Sequence, residues 1–128
     1  MSLTPHGPGF SFLDRIEINA DKRSAHGTKF LDPAAPYFAD HFPGNPLMPG
    51  VLLIECAAQT AGALWSKPAA FLASIQQFRL AKPVLPGQTV VSTVALEKDF
   101  GPLAQFDATL RVGDEIVAQG KLTLSARI

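Results

Sequence analysis

The sequence predicts an α+β fold in which an antiparallel sheet wraps around one long, buried central helix. Two observations predict it. Residues 50–65, GVLLIECAAQTAGALW, form an almost wholly apolar run of helical composition, and four strand-like segments follow it in close succession. A sheet curled around a single helix buries the apolar surface of both. We expect residues 1–128 to form one such domain.

Two strands are predicted ahead of the helix. Residues 11–19, SFLDRIEIN, alternate apolar and polar side chains in their second half, and residues 24–31, SAHGTKFL, are a weaker candidate. The ADK sequence at 20–22 supplies a turn between them. Residues 32–40, DPAAPYFAD, contain two prolines, which predicts a short helix or a turn.

The central helix is predicted over residues 50–65. Pro49 suits the first helical position because its missing N–H costs nothing there, and the SKP sequence at 66–68 ends the helix. The segment is apolar nearly all round, so we expect it to be buried on most sides.

The second half of the chain reads as four strands with turn signals between them. The KPVLPGQ, GP and GD sequences mark these turns, and the short spacing favours antiparallel neighbours joined by hairpins. The predicted strands are residues 71–80, 89–100, 103–112 and 115–128.

Composition excludes several classes of function. The chain has 11 Lys and Arg against 11 Asp and Glu and no basic block, so it lacks the charge pattern of a nucleic-acid-binding protein. Cys56 is the only cysteine, which excludes an internal disulfide and a cysteine metal cluster. The longest apolar run is too short and too polar to cross a membrane, and the first residues do not resemble a signal peptide. We expect a cytoplasmic protein.

Glu55 is the most unusual residue of the predicted helix. An ionised carboxylate is costly to bury in an apolar helix and is rarely found there without a partner. Gln59 lies four residues later on the same helical face, where its amide can hydrogen-bond the carboxyl group and hold it in one orientation. The alternative is that Glu55 faces solvent.

Two more candidates lie in the stretch HFPGNPLMPG at residues 41–50. Its prolines and glycines restrict the path of the chain and favour placing His41 over the start of the helix. Gly50 leaves room for a substrate oxygen to approach the first helical N–H groups. Alternatively, His41 is structural and Gly50 only permits a tight turn. Cys56 is expected to pack as a small hydrophobic residue.

The run HFPGNPLMPGVLLIECAAQTAG closely resembles the active-site signature of the bacterial β-hydroxyacyl-(acyl carrier protein) dehydratases. The pattern HFPGxPxMPGVLxxE is matched in full, from His41 to Glu55, and an alanine-rich stretch with Gln59 follows. FSFLDRIEI, PYFADHF and KPVLPGQ extend the resemblance over most of the chain. It implies the hotdog fold and an enzyme that is a homodimer or a trimer of dimers, in which histidine and carboxylate meet across the subunit interface.

The resemblance also implies roles for individual residues. His41 would be the base that removes the α-proton of a 3-hydroxyacyl thioester, and Glu55, in its protonated form, the acid that protonates the leaving hydroxide. The Gly50 N–H would polarise the thioester carbonyl, and Gln59 would complete the catalytic group. The predicted substrate-binding residues are Phe42, Leu47, Met48, Val51 and Phe71, whose alternative role is core packing, and the predicted carrier-docking residues are Arg79 and Lys82.

The predicted substrate travels on phosphopantetheine, carried by an acyl carrier protein or coenzyme A, and no metal or other cofactor is expected. Leu80 and Ala81 are apolar where the family commonly has arginine, which thins the patch that would meet an acidic carrier. Two other functions stay open: an acyl thioesterase, which does not need His41, and an acyl-binding protein of the same fold without turnover.

Overall fold

Six strands of the chain form one antiparallel sheet, described here from a computed structural model. The structure describes residues 10–40, 44, 46–67 and 70–126. Within these residues the strand order is β1-β2-β4-β5-β6-β3, with every neighbouring pair antiparallel. The elements are β1 Arg15–Ile18, β2 Ser24–Phe30, α1 Pro36–Asp40, α2 Gly50–Trp65, β3 Phe71–Leu80, β4 Thr89–Asp99, β5 Leu103–Val112 and β6 Glu115–Ser125.

Helix α2 lies on the inner face of this sheet and contacts all six strands. Six flat strands would span about 24 Å, whereas a helix with its side chains is only about 10–12 Å across. One helix therefore reaches every strand only because the sheet curls around it. The predicted α+β arrangement is confirmed, and the core consists of the inward residues of α2 together with sheet residues such as Val94, Phe106, Leu110 and Leu122.

Strand β3 occupies a place in the sheet that the sequence prediction missed. The hairpin spacing predicted that β3 would pair with β4, but β3 pairs with β6 at the edge of the sheet. The connection at residues 81–88 can reach about 26–29 Å when extended, and the three strand spacings it crosses amount to about 14 Å. Two strands joined by a short connection therefore need not be neighbours in the sheet.

Most element boundaries agree with the sequence prediction, and the differences have local causes. The spans of α2, β3 and β5 are confirmed, with Ser66 closing α2 in the left-handed conformation. Pro49 is the N-cap of α2 and not its first helical residue. Strand β1 begins only at Arg15, and the N–H of Phe12, within the predicted strand, donates to a side chain of α2 instead of to the sheet.

The position of α2 on β2 depends on one glycine. A Cβ atom at Gly27 would lie 2.2 Å from Oγ1 of Thr60 and 2.6 Å from Cδ2 of Leu13. Only a residue without a side chain allows the helix to approach the strand this closely. The close approach fixes the distance between the middle of α2 and the sheet. It thereby also fixes the position of the preceding turns of the helix, which carry Gly50 and Glu55.

No helix in the described part of the chain is long and apolar enough to span a bilayer.

Candidate active site

Glu55 and Gln59 are in contact on α2, as their spacing predicted. Nε2 of Gln59 donates a hydrogen bond of 2.8 Å to Oε2 of Glu55. The Gln59 side chain is buried and that of Glu55 is half-buried. The alternative of a fully solvent-facing Glu55 is therefore wrong, because the carboxyl group is held by a buried amide at the boundary of the core.

Gln59 also binds the backbone of the segment that precedes β1. The N–H of Phe12 donates to Oε1 of Gln59 at 2.7 Å, and Nε2 of Gln59 donates to the carbonyl oxygen of Phe10 at 2.8 Å. With the bond to Glu55, the acceptor and both donors of the amide are used. The carboxyl group is thus linked through one side chain to a segment more than 40 residues away in sequence.

The amino end of α2 presents backbone N–H groups at the start of the same helix. Pro49 forms no side-chain cap, and its carbonyl oxygen accepts from the N–H of Leu52 at 2.9 Å. The N–H groups of Gly50 and Val51 precede the helical bonds, as at any helix start, and point away from the helix. Glu55 lies five residues after Gly50, about 7.5 Å further along the helix axis.

Leu80, at the end of β3, packs directly against Gly50. A Cβ atom at Gly50 would lie 2.3 Å from Cδ1 of Leu80. Gly50 therefore does more than permit a turn: its lack of a side chain lets β3 cover the start of the helix.

A cavity of about 240 Å³ opens beside this contact. It contains two of the predicted substrate-binding residues, Leu47 and Met48, and its wall is mainly apolar, which suits a hydrocarbon chain. The lining residues are Leu47, Met48, Gly50, Leu53, Leu80, Ala81, Lys82, Pro83 and Val84.

Two other predicted substrate-binding residues, Val51 and Phe71, do not line this cavity. Val51 is 72% exposed. Phe71 is half exposed at the opposite end of β3 from Leu80, nine residues away in the sequence. Val51 lies in the first turn of α2 but is turned to the surface of this subunit, whereas the length of β3 separates Phe71 from the amino end of the helix.

His41 and Phe42 lie outside the described residues, so their predicted roles remain predictions. The helix that leads to them, α1, ends at Asp40. Its residues Tyr37 and Phe38 pack with ring centroids 4.8 Å apart, and burial raises the pKa of Tyr37 above its ordinary value.

The two predicted carrier-docking residues are exposed but differ in their surroundings. Arg79 lies in β3 opposite Gln119. Lys82 forms an ion pair with Glu115 and lies at the rim of the cavity. An acidic carrier would meet a cation that already has a partner, so the basic patch is weaker than the sequence alone suggests.

The chemistry of Cys56 differs from that of its neighbour Glu55. Cys56 is fully buried, and burial raises the pKa of its thiol to about 12. It packs as a small hydrophobic residue, as predicted, and is not an activated nucleophile. Within the described residues no three His, Cys, Asp or Glu side chains are grouped to hold a metal ion.

Sequence reasoning missed Leu80 and the segment of residues 10–12. Leu80 was noted only as an apolar residue in a basic region, and its position depends on β3 pairing with β6. The bonds from Phe10 and Phe12 to Gln59 involve backbone atoms, which leave no residue-type signal in a sequence.

Comparison with known proteins identifies the family. The family model described as ApeI dehydratase matches residues 17–121. The chain belongs to the ApeI-like dehydratases. It is also 40% identical over 129 residues to the 3-hydroxyacyl-[acyl-carrier-protein] dehydratase FabZ of Rhizobium rhizogenes, an alignment that covers 95% of this chain and 82% of the relative. The corresponding FabZ of Polynucleobacter necessarius is 36% identical, with 99% and 89% covered.

Solved structures agree with this dehydratase family in fold. A chain of the dehydratase heterocomplex ApeI:P from Xenorhabdus doucetiae superposes with a TM-score of 0.83 at 14% identity, covering 98% of this chain and 89% of that one. Cj0977, a virulence protein from Campylobacter jejuni, gives a TM-score of 0.78 at 13% identity, with 98% and 92% covered. The predicted hotdog fold and family resemblance are confirmed.

Proposed function

We propose that this dehydratase eliminates water from 3-hydroxyacyl thioesters to give trans-2-enoyl thioesters, in fatty acid or related lipid biosynthesis. Its FabZ relatives bear the name of that reaction on carrier-bound substrates. The observation that carries the assignment to residues is the half-buried Glu55 held by the buried amide of Gln59. A carboxyl group at the edge of a core, beside a helix start, is suited to donate a proton to a bound substrate.

The proposed elimination uses two side chains and one backbone group. His41 removes the α-proton, the C–H electron pair becomes the new carbon–carbon double bond, and the C–O bond to the 3-hydroxyl breaks. Glu55 donates its proton to the leaving hydroxide, which departs as water. The Gly50 N–H at the positive end of α2 stabilises the negative charge on the thioester oxygen, a contribution of typically about 3 kcal/mol for one such donor.

We place the acyl chain in the apolar cavity at the amino end of α2, with the thioester at Gly50. The substrate is carried on phosphopantetheine of an acyl carrier protein or of coenzyme A, and the reaction needs no metal or other cofactor. The elimination changes no oxidation state overall, so proton transfer between side chains and substrate is sufficient chemistry.

We propose a homodimer formed through β3, alone or within a trimer of dimers, working in the cytoplasm. Strand β3 is ten residues long, lies at the edge of the sheet, and exposes Phe71, Ile75 and Leu80. Long edge strands with exposed apolar residues readily pair with another chain. A second copy would also cover the exposed amino-terminal turn of α2. Analytical ultracentrifugation at several protein concentrations gives the oligomeric state. A chain that remained a monomer at all of them would contradict this arrangement.

The test is an enoyl-thioester hydration assay on both carriers, with free thiol measured in the same reaction. We expect loss of enoyl absorbance without thiol release, and loss of that activity in His41→Ala. Thiol release without hydration would identify a thioesterase instead. Acyl binding without either reaction would identify a non-catalytic acyl-binding protein. Full activity of His41→Ala would remove the histidine from the mechanism.

A further inference from the structure

Residues 10–12 contact α2, which carries the proposed acid, and α1, which ends one residue before the proposed base in the sequence, and we call them the N-terminal segment. Through Phe10 and Phe12 this segment binds Gln59, the partner of Glu55. The ring of Phe12 also packs against Tyr37 of α1 with a centroid distance of 6.1 Å. Helix α1 ends at Asp40, and His41 is the next residue in the chain.

The backbone of this segment determines which end of the Gln59 amide faces Glu55. The Phe12 N–H is a donor, which only the amide oxygen can accept, and the Phe10 carbonyl is an acceptor, which only the NH₂ group can satisfy. A flipped amide would place donor against donor and acceptor against acceptor inside the core, which is costly. The second N–H of Gln59 is therefore directed at Glu55.

That direction determines where Glu55 carries its proton. Oε2 accepts the N–H of Gln59, and the carbonyl oxygen of a carboxylic acid is its better acceptor. When Glu55 is protonated, this hydrogen bond therefore favours the tautomer with the proton on Oε1. A flipped amide would instead draw the proton of Glu55 towards its own oxygen and away from a substrate.

We propose that Phe12 is a positioning residue for the dehydration reaction. Its N–H holds the Gln59 amide in the orientation that leaves the acidic proton on Oε1 of Glu55, and its ring holds the helix that leads to His41. The inference rests on the proposed function, because it assigns Phe12 a role in placing the acid and base of that reaction. The ring is buried and contacts Phe10 edge-on at 5.2 Å in addition to Tyr37, so aromatic rings fix its position on two sides.

The test compares Phe12→Leu, which keeps the N–H and an apolar side chain, with Phe12→Pro, which removes the N–H. We expect kcat of Phe12→Pro to be at least about 10-fold below that of Phe12→Leu, with KM within about 3-fold, because the loss concerns the reacting state and not binding. Equal kcat values for the two folded variants would overturn the proposal.

A second measurement does not depend on turnover or on folding of the proline variant. Hydrogen exchange of the Phe12 amide in the full chain should be slow in the wild type, faster in Gln59→Met, and still slow in Gln59→Glu, which keeps an acceptor oxygen. An exchange rate that Gln59→Met leaves unchanged would overturn the proposed link. An inactive wild type would contradict the proposed function alone, since the exchange result would still decide whether Phe12 holds Gln59.

Discussion

The two halves of α2 are both mainly apolar but have different surroundings. In Gly50–Glu55 only Leu53 is buried, and Val51 is 72% exposed. In Cys56–Trp65 eight of the ten residues are buried. The second half anchors the helix in the curled sheet, whereas the first half extends to the cavity and the edge of the molecule.

This difference shows where a helix of this fold can carry chemistry. Val51, Glu55 and Gln59 follow one another at intervals of four on one helical face, and they change from exposed to half-buried to buried. Glu55 lies at the transition, close enough to the core for a fixed partner and close enough to the surface for a substrate. We therefore expect variants of the first half to lose activity and variants of the second half to lose stability.

The largest effect is expected for Glu55→Gln. Losing the acid should reduce hydration of an enoyl thioester by about 10³-fold, equivalent to about 4 kcal/mol in the barrier, with little change in the free energy of unfolding. Glu17→Gln, an exposed position in β1, is the matched control and should keep full activity. Wild-type turnover by Glu55→Gln would exclude the carboxyl group from the reaction.

Truncating one leucine to alanine in each half of α2 should show which half contributes more to stability. Leu64→Ala removes a buried side chain and should lower the free energy of unfolding by about 3 kcal/mol, measured by chemical denaturation. Leu52→Ala, at a half-buried leucine, should cost about half as much. Equal losses at the two positions would mean that both halves are equally buried in solution.

Gln59→Ala should affect both properties, because Gln59 joins the two halves. It leaves the Phe12 N–H and the Phe10 carbonyl without their side-chain partner, which should cost about 2 kcal/mol of stability. Turnover should be impaired but not abolished, since Glu55 remains. If the rate per folded molecule equals that of the wild type, Gln59 has only a structural role.

The buried thiol of Cys56 should make stability depend on pH in the alkaline range. Burial raises its pKa from the ordinary value near 9 to about 12, so the folded chain holds this proton after the unfolded chain has lost it. The contribution is fully present below pH 9, and above it the free energy of unfolding should fall by up to about 1.4 kcal/mol per pH unit. Denaturation of the wild type and Cys56→Ala between pH 8 and 10.5 tests this, and parallel curves would contradict it.

Val51→Ser should have the smallest effect. At an exposed position the free energy of unfolding should change by less than about 0.5 kcal/mol, whereas Leu53→Ser, two residues later and buried, should cost several times more. A loss above about 1 kcal/mol at Val51 would show that another chain covers the first turn of α2, which would support the proposed dimer.

The sequence predicted those parts of the fold that depend on local pattern. Residues 50–65 were identified as the central helix by their apolar composition and by the Pro49 and Ser66 boundaries, and Glu55 and Gln59 were paired by helical spacing. The pairing of β3 with β6 was missed because hairpin spacing describes neighbours in sequence only. Leu80 and Phe12 were missed as parts of the site because one depends on that pairing and the other acts through its backbone.

The pairing of β3 has a consequence for how the chain is made. On a ribosome, β3 emerges well before β6, the strand beside which it finally lies, since Glu115 follows Leu80 by 35 positions. Until β6 is synthesised, β3 exposes its backbone and apolar side chains to any other strand within reach. This edge is therefore more open to aggregation in the nascent chain than in the mature protein.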